Sequence, residues 1–172
     1  ARGRHSATTA MASFNAPSAD DLVSSGTPLA DSSMTFRLAV TLGGTTVTDD
    51  VTIDVMISFA ADIHPIFSDP SHTDAFGFNA TCTGCHSGAF PSANQDLSGT
   101  SAQVYAVLSS AATTVGYQRF NVATPAESLI LIKPGFNVPN DLAHSGGNIL
   151  DGPTNPYYLK MLTWVEQGAL EN

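Results

Sequence analysis

The hydrophobic period of this chain changes once, near Ser58, and no single layer of structure accommodates both sides of that change. Before it the period is two. In residues 34–42, MTFRLAVTL, Met34, Phe36, Leu38, Val40 and Leu42 share one face, while Thr35, Arg37, Ala39 and Thr41 share the other. Such alternation predicts a half-buried strand. Gly43-Gly44 marks a turn. VTIDVMIS, 51–58, alternates again, with Val51, Ile53, Val55 and Ile57 inward and Thr52, Asp54 and Met56 outward. A shorter third strand is expected at MASFNAP, and the segment from Pro17 to Ser33 reads as loop. Three strands with a greasy face need a second layer to cover it. Residues 1–58 are therefore expected to be part of a β-sandwich whose other strands lie elsewhere.

After Ser58 the pattern turns helical. FAADIHPIF predicts a short helix with Asp62 near its start. SAQVYAVLSSAA places Val104, Val107 and Leu108 on one face. TPAESLILIK opens with Thr124 as cap, Pro125 at the first helical position and Glu127 three residues after the cap. NPYYLKMLTWVEQGA has Asn155 as cap and Pro156 behind it; Tyr158, Leu159, Leu162 and Val165 or Trp164 form the expected buried face, and Gly168 ends the helix. Residues 59–172 thus predict a small helical domain, giving an α+β chain in two parts. Four or five short helices leave a thin core, and such a domain needs a cofactor or a staple at its centre.

Charge narrows the partners. The formal net charge is −9 and only six residues are Lys or Arg, scattered along the chain. Phosphate backbones demand clustered cations, so nucleic acid is excluded. No apolar run approaches membrane-spanning length, and no secretory leader is visible. The first residue is Ala1, and a mature or trimmed form is expected. Charged residues make up only 12% of the chain, so its surface rests on Ser, Thr, Asn, Gly and Ala, as is common outside the cytoplasm.

The candidate staple is NATCTGCHSG, 79–88, which holds both cysteines of the chain, Cys82 and Cys85, with His86 directly behind. Cys-x-x-Cys-His is the attachment signature of c-type haem. Two thiols add across the two porphyrin vinyl groups, two intervening residues let one helical turn present both sulfurs, and the next residue aims its imidazole at the iron. Thr83 and Gly84 fill the gap and are small. The competing readings are weaker. Zinc needs four ligands, and there is no second Cys pair. A thioredoxin-type pair needs an α/β setting that this sequence does not predict. A disulfide across so short a loop stabilises little.

Residues 59–172 resemble, through FAADIHPIF, CTGCHSG, DLSGTSAQVYAVL, PAESLILIKPG, HSGG and YYLKMLTWVEQGA, the single-haem cytochrome c domains attached to other modules in bacterial secreted and outer-surface proteins. The resemblance implies a cytochrome c fold, one covalent haem c, redox protein partners and an extracytoplasmic location. One departure is SDPSHTDAFGFNA, 68–80, longer than that pattern expects before the cysteines and a candidate flap over the haem edge. Residues 1–58, through SATTAMASFNAPS and MTFRLAVTLGGTTVTDDVTIDV, resemble the C-terminal half of an immunoglobulin-like repeat of the polycystic-kidney-disease type. The leading strands of that family are missing. The chain is then either a piece of something longer or is completed by a strand-donating neighbour.

A carrier haem needs a second axial ligand, usually supplied by the loop before the last helix and most often Met. Residues 134–156 hold no Met and one His, His144, flanked by Gly146 and Gly147, which permit a close backbone approach. Ligation by His86 and His144 is expected by elimination, and it implies a lower potential than a His/Met pair. His144 as an ordinary surface imidazole is the plain alternative. His64, His72, Met161 and His5 are rivals, and without any of them the iron is five-coordinate and open to small molecules. Arg119, near Tyr117, is the candidate donor to a propionate, with a solvated surface Arg as its alternative; Lys133 is the other cation in reach. Phe67, Phe76, Phe78, Phe90, Phe120, Phe136 and Trp164 are candidate walls for the macrocycle, or plain core.

The expected function is extracytoplasmic electron transfer, with no catalysis by the polypeptide: no nucleophile–base pair, phosphate loop or carboxylate dyad is visible. Two other readings stand beside it. The chain is a structural subunit of a larger haem assembly or filament, completed by strand addition, or it is an enzyme fragment with a five-coordinate, peroxidase-like haem.

Overall fold

The computed structural model describes residues 33–70, 81–110, 116–136 and 142–172. The expected strand at MASFNAP, His5, His72, Phe76, Phe78 and most of the 68–80 segment lie outside these residues.

The chain is mixed α+β. Strands β1 (Ser33–Leu42) and β2 (Thr45–Asp54) form an antiparallel hairpin. Its turn is Gly43-Gly44, with φ of 59° and 84°. Positive φ at both central residues is the turn whose twist matches the strands, and glycine adopts it without a Cβ clash. Pairing is in direct register from Leu42↔Thr45 to Ser33↔Asp54. The second strand therefore starts six residues before the expected Val51 and ends at Asp54, not Ser58. Thr45–Asp50 carries no apolar alternation, yet the tight turn places it opposite β1, where Arg37 pairs with Asp50 at 2.8 Å and Thr41 with Thr46 at 2.8 Å. Of the expected inward set only Ile57, past the ladder, is buried; Ile53 and Val55 are half-buried, and Val51 is exposed because, among the described residues, no second layer covers that end of the hairpin.

Both hairpin faces meet solvent. Leu38, Val47 and Leu42 are 64%, 67% and 84% exposed. The chain leaves β2 along Val55–Ser58 and is gripped by the C-terminal residues. The Gln167 amide donates to the Val55 carbonyl and accepts from the Ile57 amide, and the Asn172 side chain accepts from the Phe59 amide.

The expected first helix is a π-helical turn, Phe59–Ile63, followed by a 3-10 turn, His64–Ser68. Ser58 caps it by accepting from the Ala61 amide, and Asp62 accepts from the Ser58 amide. Pro65 supplies no N–H and resets the winding one residue into the second turn. Next come α1 (Cys82–Cys85) and α2 (Ser101–Ser109), the latter started by a capping box between Thr100 and Gln103. Val104 and Leu108 are buried on it and Val107 is half-buried.

TPAESLILIK is not one helix. Pro125–Glu127 is a 3-10 turn and α3 is Leu129–Ile132. Ser128 between them is extended, fully buried, and its hydroxyl accepts from the Asn121 amide. That bond draws the backbone out of the helical region. Thr124 does not cap the turn; its hydroxyl donates to Glu127.

Helix α4 (Pro156–Glu166) starts as expected, with the Asn155 side chain accepting from the Tyr157 and Tyr158 amides. It ends at Gly168 in paired carbonyl bonds: Ala169 N–H to Trp164 and Gly168 N–H to Val165. Met161 through Val165 are all buried, wider than a stripe, because this helix runs through the centre of the domain. Around it Phe59, Tyr105, Phe120 and Trp164 pack edge-on, with ring centres 4.8 Å apart for Phe120–Trp164 and 5.1 Å for Phe59–Tyr105.

Candidate functional site

The CTGCH stretch forms a single helical turn. The His86 amide bonds the Cys82 carbonyl at 2.9 Å, so Cys82 and Cys85, three residues apart, lie on one side of the turn. Both are free thiols, Cys82 half-buried and Cys85 exposed. Burial, with a smaller push from Cys85, raises the Cys82 thiol to about 11 despite a stabilising backbone hydrogen bond.

His86 leaves this turn with its ring half-buried, and Nδ1 meets the Ser92 carbonyl at 3.0 Å. That carbonyl belongs to the tight turn Ser92–Asn94, in which Ala93 and Asn94 take left-handed φ of 55° and 54°. Non-glycine residues pay for that conformation. Burial holds the His86 pKa below its ordinary value; the Ser92 carbonyl opposes this, and the neighbouring charges of His144 and Lys133 reinforce it.

His144 faces it from the opposite wall. Its Nδ1 meets the Gly147 carbonyl at 3.1 Å, within a turn closed by the Gly147 amide on the His144 carbonyl. Gly147 has φ of 76°, and a Cβ on Gly146 would stand 3.0 Å from His144 Cε1. Gly147 thus suits the left-handed backbone of this turn, and Gly146 leaves the ring room that a side chain would crowd. A carbonyl only accepts, so each Nδ1 is a protonated donor, and in the neutral ring the lone pair then lies on Nε2. The two rings are parallel within 7°, with centres 6.2 Å apart. Two imidazoles on opposite sides of one metal, each bonded at about 2.0 Å, place their ring centres roughly 6 Å apart.

Between and around the rings lies a cavity of about 360 Å³. Cys82, Cys85, His86, His144 and Arg119 all line it, so the structure brings every one of the expected site residues to one place. The rest of the wall is largely aliphatic: Leu97, Leu108, Leu129, Ile130, Ile149 and Leu150, with Phe67 and Met161. Of the other expected aromatic walls, Phe120 and Trp164 belong to the edge-on cluster, Phe136 packs on Tyr158, and Phe90 is 98% exposed. Core and pocket share Phe67, Leu97, Leu108, Leu150 and Met161, while Phe59, Phe120 and Trp164 lie away from the pocket wall.

Arg119 is a wall residue already engaged by protein. Its Nη1 donates to the Val107 carbonyl and to the Ser110 carbonyl and hydroxyl, at the C-terminal end of α2. With the Gln95 amide turned oxygen-inward, Nη2 and Nε reach it at 3.0 and 3.3 Å. His64 is turned to the Gly99 carbonyl at 3.0 Å and does not line the cavity. Met161 is buried and shares the wall, and Met56 is exposed. The features that sequence reasoning misses are the Ser92 and Gly147 carbonyls, because a backbone acceptor has no residue signature; only the glycine pair hints at the second.

The donor set decides what fits. Among the described residues no three of His, Cys, Asp and Glu converge on a point that would hold a bare ion. Two parallel imidazoles 6.2 Å apart would suit a metal whose other ligands come with it, as in a metalloporphyrin. The apolar walls and two thiols at one lip match the remainder of such a macrocycle. Compared with protein-family models, curated proteins and solved structures, the chain matches none.

Proposed function

We propose that this chain is an extracytoplasmic electron-transfer protein carrying one c-type haem, attached at Cys82 and Cys85 and held axially by His86 and His144. The observation that carries the reading is the parallel pair of imidazoles at 6.2 Å across a cavity whose lip bears both cysteines. When bound, the haem supplies a one-electron centre, its iron cycling between ferric and ferrous states. His86 and His144 each present Nε2 because a carbonyl holds Nδ1. The aliphatic walls exclude water and lower the local dielectric. Arg119 fixes the end of α2 and offers positive charge at the wall. If His86 and His144 both held the iron, the chain would leave it no site for a substrate, which would favour a carrier over an enzyme. The helical part then corresponds to a cytochrome c domain and the hairpin to part of an immunoglobulin-like sandwich. The low charge content, the resemblance to secreted cytochrome domains and the need to assemble covalent haem there support a location outside the cytoplasm, with redox proteins as partners.

The test is an optical spectrum of oxidised and dithionite-reduced protein matured with haem-attachment machinery. A reduced c-type spectrum, a low-spin ferric form that carbon monoxide and cyanide leave unchanged, and a low midpoint potential are expected. A thioether band in the near infrared would remove His144 as ligand, and absence of haem would remove the whole reading.

A second reading rests on the hairpin. Its apolar face, with Leu38, Val40, Val47 and Val51 exposed, favours a structural subunit of a haem-bearing assembly whose sheet is completed by a neighbouring chain. A concentration-independent monomer in analytical ultracentrifugation would exclude it.

A further inference from the structure

We propose that His86 and His144 alone capture an iron porphyrin, before and independently of thioether formation at Cys82 and Cys85; this rests on the haem reading above. The orientation of both rings comes from the protein backbone. The Ser92 carbonyl fixes one and the Gly147 carbonyl the other, and neither contact involves a thiol or anything inside the cavity. The rings are already parallel and 6.2 Å apart, so closing on a metal costs little reorganisation. The cavity of about 360 Å³ is lined mainly by apolar side chains, which favour a flat apolar ring by burial alone.

The thiols contribute differently. Both lie on the single turn that leads into His86, and both line the same cavity as His144. In the covalent step each S–H adds across a vinyl C=C, the sulfur to one carbon and the hydrogen to the other, with no leaving group and no net oxidation. That step fastens one edge of a ring that the imidazoles already hold. The ligand class is accordingly iron porphyrins in general, and vinyl groups are needed for permanence and not for recognition.

The experiment uses the full chain, haem-free with thiols reduced, titrated with iron mesoporphyrin, whose ethyl groups replace the vinyls. In parallel, C82A/C85A is titrated with haemin. Both are expected to give low-spin, six-coordinate spectra from which acidified butanone extracts all the iron porphyrin. His144→Ala in the unmodified chain should turn the mesoporphyrin complex high-spin and weaken binding by about ten-fold or more. If the chain matures with covalent haem while neither titration yields a low-spin complex, the inference is overturned and the proposed function stands. A high-spin complex with mesoporphyrin in the unmodified chain also overturns it. A chain that matures without any haem overturns the proposed function instead.

Discussion

The hairpin and the helical region fail to complete themselves in opposite directions. In the hairpin, Leu38, Val40 and Leu42 point outward and stay exposed, so apolar surface looks for cover from outside. In the helical region Trp164, Phe59, Ile63 and Val104 are fully buried, yet an apolar cavity lies next to that core. One part lacks a layer and the other lacks a filling. The local physics explains why the two were built differently. A two-stranded ladder satisfies its own backbone but has too little depth to bury a face. Short helices bury a core only if something central substitutes for missing length.

The comparison would break first at Trp164. Replacing it with Ala in the apo chain should cost about 3–5 kcal/mol of stability, because it sits at the centre of the edge-on cluster and also donates to the Leu170 carbonyl. Urea unfolding would read this, and a loss no larger than that of a surface substitution would mean that the helical core is not self-sustaining.

Gly146→Ala comes next. The new methyl would meet His144 Cε1 at 3.0 Å, so the ring would have to shift by a few tenths of an ångström relative to His86. Haem affinity should fall about ten-fold while urea stability of the apo chain changes little. Equal affinity in the variant would show that His144 does not need its present position.

A third prediction concerns the lip of the cavity. The folded chain keeps the Cys82 proton up to about 11, whereas an unfolded thiol releases its own near 8.5. The unfolded state thus binds fewer protons between those values, and apo stability should fall as pH rises from about 8.5 through about 11. In the same range exposed Cys85 should alkylate with iodoacetamide faster than Cys82. Equal rates across that range would place Cys82 in water.

The smallest effect belongs to the hairpin. Leu38→Thr should change monomer stability by no more than about 0.5 kcal/mol, since the side chain is 64% exposed. If assembly uses this face, the same substitution should lower self-association measured by sedimentation.

Sequence patterns carried some of this architecture and not the rest. Parity was readable wherever apolar residues alternate, which identified Ile57 as inward, but Val51 on the same face stays exposed because alternation does not say whether a covering layer exists. The first half of β2 was hidden, because Thr and Asp occupy both faces there and only the turn dictates the pairing. Asn155-Pro156 announced α4, whereas its breadth of burial depends on neighbours from every side, which periodicity does not encode. At the site, elimination pointed to His144, and the fold places it across from His86. Which side chains wall the cavity was not readable. Aromatic residues and aliphatic ones bury equally well, and only packing decides that Phe67, Leu97, Leu108, Leu150 and Met161 serve both core and pocket wall while Phe120 and Trp164 do not reach the pocket.

Trp164 is the sole tryptophan of the chain, and Met161, three residues earlier on the same helix, lines the cavity wall. Less than one helical turn, about 5 Å of rise, separates the two along the axis. Any pigment seated in the cavity would therefore drain the indole's excited state by resonance transfer, and the chain would go dark at its own emission as the site fills. The molecule contains its own optical gauge of occupancy, readable without a label and blind to the exposed hairpin.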